Sequence, residues 1–125
     1  MRQQYHFRES TNGYFAWDVF RLLELSKDLE IIQVPIDQIK ELDEEYWYGS
    51  DENIASCRSV LGHAKLIEET DLAYPIILCH EGRVMDGMHR VCKAVMKGRE
   101  EISAVKFKTY IEPDYVDVQA KDLSY

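Results

Sequence analysis

Cysteine is scarce and unpaired in this sequence. Cys57, Cys79 and Cys92 stand far apart, each inside an apolar segment, and none belongs to a CxxC pair. An odd, scattered set excludes a disulfide frame and a cysteine-built zinc knuckle. It reads instead as small buried hydrophobes in a reducing compartment. Long apolar runs are also lacking: nothing approaches the roughly 20 residues that cross a bilayer, and 30 % of the residues are charged. The amino terminus, MRQQYHFREST, has no apolar h-region, so no secretory leader is expected and the expected location is cytoplasmic. There is no internal repeat and no segment of low complexity.

Positive charge is the third shortage. Asp and Glu outnumber Lys and Arg by 23 to 15, for a net charge of −8. Between Asp37 and Glu52 seven acids face one lysine, and the tail after Tyr110 has four acids and one lysine. Proteins that hold duplex DNA neutralise its phosphates with Lys and Arg, so DNA is not an expected partner of the isolated chain. A single phosphate needs only a few donors, and a local pocket for one stays compatible with the overall acidity.

What is present fits one domain: 125 residues with 46 % apolar content carry one core and not comfortably two. Residues 1–10 are polar and loose or strand-like. In TNGYFAWDVFRLLELSKD, Thr11 or Asn12 is a plausible N-cap, and Phe15, Val19, Leu22 with Ala16, Phe20, Leu23 fall at helical spacing. That spacing predicts a helix from about Tyr14 to Lys27. EIIQVPI (30–36) reads as a strand, DQIKEL as one helical turn, and DEEYWYGSDEN (43–53) as a loop with an aromatic cluster among acids.

The stretch from Asn53 to Thr70 places Ile54, Cys57, Leu61 and Ala64 on one stripe beside Val60 and Ile67, a second amphipathic helix. YPIILCH and RVM, joined by Glu-Gly, read as a hairpin. A third helix follows, with Val91, Cys92, Val95 and Met96 facing inward and Gly98 at its end. ISAVKF is a last strand, and the tail is part strand, part docked arm. The fold class is therefore α+β, a small mixed sheet covered by helices.

The chemistry concentrates where the strand RVMD meets the helix beginning MHRV. A helix start leaves backbone N–H groups unpaired and is partly positive, so it attracts anions. Gly87 permits close approach of a ligand, Arg90 offers a bidentate fork for phosphate, and His89 adds a donor whose charge varies near neutrality. Asp86 repels an anion unless it holds magnesium or takes a proton from an attacking hydroxyl. The bland alternative stays open, since Asp-Gly before a helix is a common turn with Asp86 as cap and its neighbours solvated.

These residues carry a resemblance. VMDGMHRVCKAVMKGREEISAV resembles the motif region of the ParB/sulfiredoxin superfamily, IIQVPIDQI resembles its opening strand, and YPIIL the strand before its hairpin. The likeness spans about residues 30–108, with 37–74 only loosely similar and the segment 14–27 unmatched. It implies a stand-alone ParB-like domain, with a nucleotide (ATP, ADP or CTP) held at the loop, with magnesium. Gly87, Met88, His89 and Arg90 stand at the phosphate-binding positions. Asp86 matches the aspartate of kinase-like members, with His89 beside it as the other catalytic candidate.

Met88 stands where sulfiredoxins carry cysteine, so thiol chemistry is not expected. No helix-turn-helix pattern is seen after residue 108, so a complete partition protein is not expected either. The kinase-like reading needs a further acid, for which Glu44, Glu45 or Asp43 stand near. On the second helix, Arg58 and His63 are accessory candidates. The Tyr46-Trp47-Tyr48 cluster could stack on a base, pin its loop to the core or form a dimer contact. The acidic run 37–52 fits no calcium loop and reads as a solvated face. His6 and His80 lack local partners, and neither zinc nor haem is expected.

Three functions follow. The first is binding of a nucleotide or other phosphorylated small molecule, with phosphotransfer or nucleotide hydrolysis left undecided. The second is a non-catalytic interaction or homodimerisation module. The third, a nuclease, is disfavoured by the acidity.

Overall fold

The structure is a computed structural model that describes residues 2–49 and 53–125. The loop 43–53 and the acidic run 37–52 include Ser50, Asp51 and Glu52, which lie outside the described residues. The fold is α+β, with two sheets. Strands β1 (Tyr5–Glu9), β2 (Tyr14–Asp18) and β7 (Tyr115–Val118) form an antiparallel sheet in the order β1-β2-β7. Strands β3 (Ile32–Pro35), β4 (Ile76–Leu78), β5 (Val84–Asp86) and β6 (Glu101–Lys106) form a mixed sheet in the order β3-β6-β4-β5. In it β4 runs parallel to β6, and the other pairs are antiparallel. Helices α1 (Val19–Ser26), α2 (Cys57–Glu69) and α3 (Met88–Met96) complete the fold. Among the described residues no helix is long and apolar enough to cross a membrane.

The helix expected over 14–27 begins only at Val19. Its first third is β2, paired residue for residue with β1 from Tyr5↔Asp18 to Glu9↔Tyr14. Tyr, Phe and Trp suit a pleated, half-covered surface, and a partner strand settled an ambiguity that helical spacing alone could not. The cap is Asp18, whose carboxylate accepts from the Phe20 N–H at 2.9 Å, and not Thr11 or Asn12. The tail resolves into β7, which closes the other edge of β2. It is fastened there by the Trp17 indole N–H donating to the Ile111 carbonyl at 2.8 Å, and by the Asp114 carboxylate accepting from the Asp18 N–H at 2.8 Å.

The mixed sheet is covered on both faces, which explains why PIILC is an unbroken apolar run and does not alternate. Ile76, Leu78, Val84, Ile102 and Ala104 face α3 in one core cluster, with Met88, Val91 and Ala94. Ile77, Cys79, Met85, Val105 and Phe107 face the other way, onto Trp17 and Leu22. The side chains sort by the two-residue alternation of strands.

Several further expectations are corrected here. The inward face of α3 is Met88, Val91 and Ala94, whereas Val95 and Met96 are exposed, because the three-residue step of this short helix follows the sheet. The apolar stripe expected over 53–70 covers no core: Ile54, which falls before the helix begins at Cys57, is 73 % and Leu61 68 % exposed. Instead α2 turns Ser59, His63 and Ile67, its half-covered residues, toward the rest of the molecule. Cys57 is exposed and only Cys79 is fully buried. The segment 36–43 makes two 3-10 turns, Ile36–Gln38 and Lys40–Asp43. Its acidic run is not wholly solvated, since Glu41 is buried at 3 % exposure.

Candidate functional site

The hairpin β4–β5 delivers the chain to α3 through one residue that must be glycine. Gly87 has φ 107° and ψ 22°, a backbone that L side chains rarely adopt. A Cβ there would also lie 2.6 Å from Ile76 Cγ2 and 2.7 Å from Arg90 Nη2. The bend aims the start of α3 into an open cavity of about 880 Å³, lined there by Asp86, Gly87, Met88 and His89. No side chain caps this helix, and its first intrahelical bond joins the Val91 N–H to the Gly87 carbonyl at 3.1 Å. The N–H groups of the first turn are thus left for a ligand or water.

The sequence candidates divide. Asp86, Gly87, Met88, His89, Glu44 and Glu45 all line the cavity. Met88 does so from the core, at 5 % exposure. Arg90 lies beneath the loop: its Nη2 donates to Asp86 Oδ2 at 3.0 Å and to the Pro75 carbonyl at 3.3 Å. Its Nε is buried without a hydrogen-bond partner. Its part here is to hold Asp86, not to face the cavity. Arg58 is exposed on α2 and does not line the cavity. Glu44 pairs with Arg83 at 2.5 Å.

His63 comes into the site through His89. His63 Nδ1 and His89 Nε2 are 2.9 Å apart, so one ring donates to the other. Trp47 lies flat on both, with ring centroids 4.2 Å from His63 and 4.6 Å from His89 and planes within 18°. Burial lowers the proton affinity of both rings. That of His89 falls to about 4, helped by His63 and Arg90 and opposed by Asp86. Both are neutral at pH 7 and share one N–H, and the tautomer fixes which ring gives it.

The acid that sequence reasoning missed is Glu41. Its Oε2 accepts from the Val84 N–H at 2.7 Å and lies 3.3 Å from Arg83 Nε. Its Oε1 is buried without a hydrogen-bond partner, on a residue that lines the cavity. Burial, and then the charges of Glu41 and Asp86, push the Tyr46 phenol up to about 12, against the opposing pull of Arg8 and Arg83. The phenol therefore stays protonated at neutral pH. Only the apolar spacing of IDQIKEL, which turns Ile36, Ile39 and Glu41 inward together, hinted at this position.

No family model, no curated protein and no solved structure matches this chain. The site stands on its own geometry.

Across the cavity runs β1. His6 was expected to lack a partner, yet its Nε2 accepts from Arg8 Nε at 2.9 Å, and the Arg8 guanidinium lies 5.4 Å over Trp17. Burial, with Arg8 adding to it, pushes His6 down to about 3. His80 contacts Glu81 at 3.8 Å. Among the described residues no group of three or more His, Cys, Asp or Glu is arranged to hold a metal ion.

Proposed function

We propose that this chain is a ParB/sulfiredoxin-type domain that binds a nucleotide or other phosphorylated small molecule at the start of α3. In this reading it transfers a phosphoryl group to a hydroxyl acceptor. The carrying observation is the uncapped helix start behind a positive-φ glycine, opening onto a large cavity lined also by Glu41, a buried carboxylate with one oxygen unpartnered. The first-turn N–H groups and the helix dipole favour the phosphate. With the His63 Nδ1–H donating to His89 Nε2, His89 keeps its own N–H on Nδ1 for the phosphate, in a ring held by His63 and Trp47.

In this reading Glu41 accepts the proton of an acceptor hydroxyl through its unpartnered Oε1. The anhydride P–O bond breaks, a new P–O bond forms to the acceptor oxygen, and the proton passes to the carboxylate. Magnesium ordinarily binds one or two carboxylates together with substrate phosphates. Asp86 would supply such a carboxylate from the cavity wall, and the ion would neutralise phosphate charge there.

Thermal melts with ATP, ADP and CTP, with and without magnesium, test binding. A nucleotide at a hundred times its dissociation constant adds about 2.7 kcal/mol to stability. His89→Ala should weaken that nucleotide about tenfold, the order expected for one hydrogen bond to a charged group. No shift with any nucleotide, or an undiminished shift in His89→Ala, would overturn the reading. Glu41→Gln, which keeps the shape, should abolish phosphoryl transfer while leaving the melt shift intact.

The exposed Ile54 just before α2, Leu61 of α2 and Met96 of α3 favour a second reading, a self-associating module. Sedimentation of the wild type against Leu61→Glu distinguishes it. A dimer that Leu61→Glu splits, with no nucleotide shift, would favour this reading.

A further inference from the structure

The cavity does not end at α3. It continues along the edge strand β1, where Tyr5, Phe7 and Glu9, with Tyr14 from β2, line its far end. Four residue steps of β1 extend about 13 Å, much longer than one phosphate. We infer that this far end is a nucleobase subsite on Phe7 and Tyr14, with Glu9 reading an amino group on the base. The inference rests on the phosphate reading of the near end, and it makes the ligand a nucleotide with an amino-bearing base.

The other rings near the cavity are already engaged. Trp47 covers the two imidazoles. Tyr46 stands edge-on to Trp47 at 5.9 Å, and Tyr48 edge-on to His63 at 5.7 Å with its hydroxyl 3.0 Å from Ser59 Oγ. Tyr5 meets the edges of Tyr115 and Tyr125, and its hydroxyl donates to the Ser124 carbonyl at 2.7 Å.

Phe7 and Tyr14 are half-buried and meet edge-to-face, with centroids 6.0 Å apart and planes at 76°; Phe7 also tilts against Tyr5 at 6.2 Å and 50°, and the pair is open to a third planar group from the cavity it lines. In the β1–β2 register Glu9 lies opposite Tyr14 and Phe7 opposite Ala16, so Phe7, Glu9 and Tyr14 project from one side of the sheet. A base stacked there has the exposed Glu9 carboxylate beside it as an acceptor. Adenine, guanine and cytosine present an exocyclic amino donor, and uracil does not.

The test compares titrations of the full chain with inorganic tripolyphosphate, ATP, CTP and UTP. ATP and CTP should bind at least ten times tighter than tripolyphosphate, the gain expected from stacking one base, and UTP should fall between. Phe7→Leu and Tyr14→Ala should bring ATP down to the tripolyphosphate level without changing tripolyphosphate itself, and Tyr14→Phe should keep the wild-type preference. Equal affinity for ATP and tripolyphosphate in the wild type overturns the base subsite while leaving the phosphate reading standing. UTP equal to ATP overturns the role of Glu9. If neither tripolyphosphate nor any nucleotide binds, the phosphate reading fails and the subsite with it.

Discussion

Replacing Gly87 by alanine tests the construction of the loop more sharply than any change of a polar group. Two costs add. Forcing an L residue into the left-handed region costs roughly 1–2 kcal/mol. The new methyl must also displace Ile76, which is fully buried, and Arg90, whose guanidinium holds Asp86. Overpacking of this kind adds about 1–3 kcal/mol, and stiffening of the unfolded chain returns about 0.4–1 kcal/mol. The net is about 2–4 kcal/mol.

The fold supplies its own controls. Gly82 and Gly98 also have positive φ, 83° and 71°, but a Cβ at either meets nothing within 4 Å. Gly82→Ala and Gly98→Ala should therefore cost only the strain, about 1 kcal/mol after the unfolded-state gain. For a chain of this size each kcal/mol moves the melting temperature by about 3–5 °C. Gly87→Ala should thus melt about 3–15 °C below either control, followed by far-UV circular dichroism and checked by urea midpoints. A Gly87→Ala protein as stable as Gly82→Ala would refute the tight cradle, and with it the case for a loop shaped around Arg90 and Asp86.

Two other outcomes follow from the same geometry. His6 and His89 take up protons near pH 6.5 when unfolded but only near about 3 and about 4 when folded. The unfolded state therefore binds more protons in that window. The stability is present above pH 6.5 and is lost as pH falls toward 4; at pH 4.5 buried His6 alone accounts for an upper bound of about 2–3 kcal/mol. Urea midpoints from pH 7.5 to 4.5 should fall accordingly and fall less in His6→Gln; a flat wild-type profile would contradict the burial argument. Trp47→Ala, at a half-buried site, should cost about 1–3 kcal/mol and, by wetting the pair beneath it, return the His89 titration seen by NMR toward 6.5. An unchanged His89 titration would mean that Trp47 does not shield it.

The sequence by itself determined the α+β class, the β4–β5 hairpin, α3 and its glycine joint, because these are local. An apolar run broken by Glu-Gly, a glycine before a helical pattern and Gly98 behind it act over a few residues. Gly98 ends α3 as expected, with the Arg99 N–H donating to the Ala94 carbonyl at 2.9 Å. The tertiary structure decided what depends on distant partners. YFAWD became a strand because β1 and the tail, about a hundred residues later, hydrogen-bond to it. Glu41 became a buried acid because the Val84 N–H, 43 positions away, needed an acceptor. His63 joined the site because α2 lies against α3, and Arg90, read as a phosphate fork, turned under the loop because Asp86 and the Pro75 carbonyl were nearer than the cavity. Local sequence carries the conformational signal of a turn or a helix end, whereas the partner of a polar side chain is fixed only when remote segments are packed together.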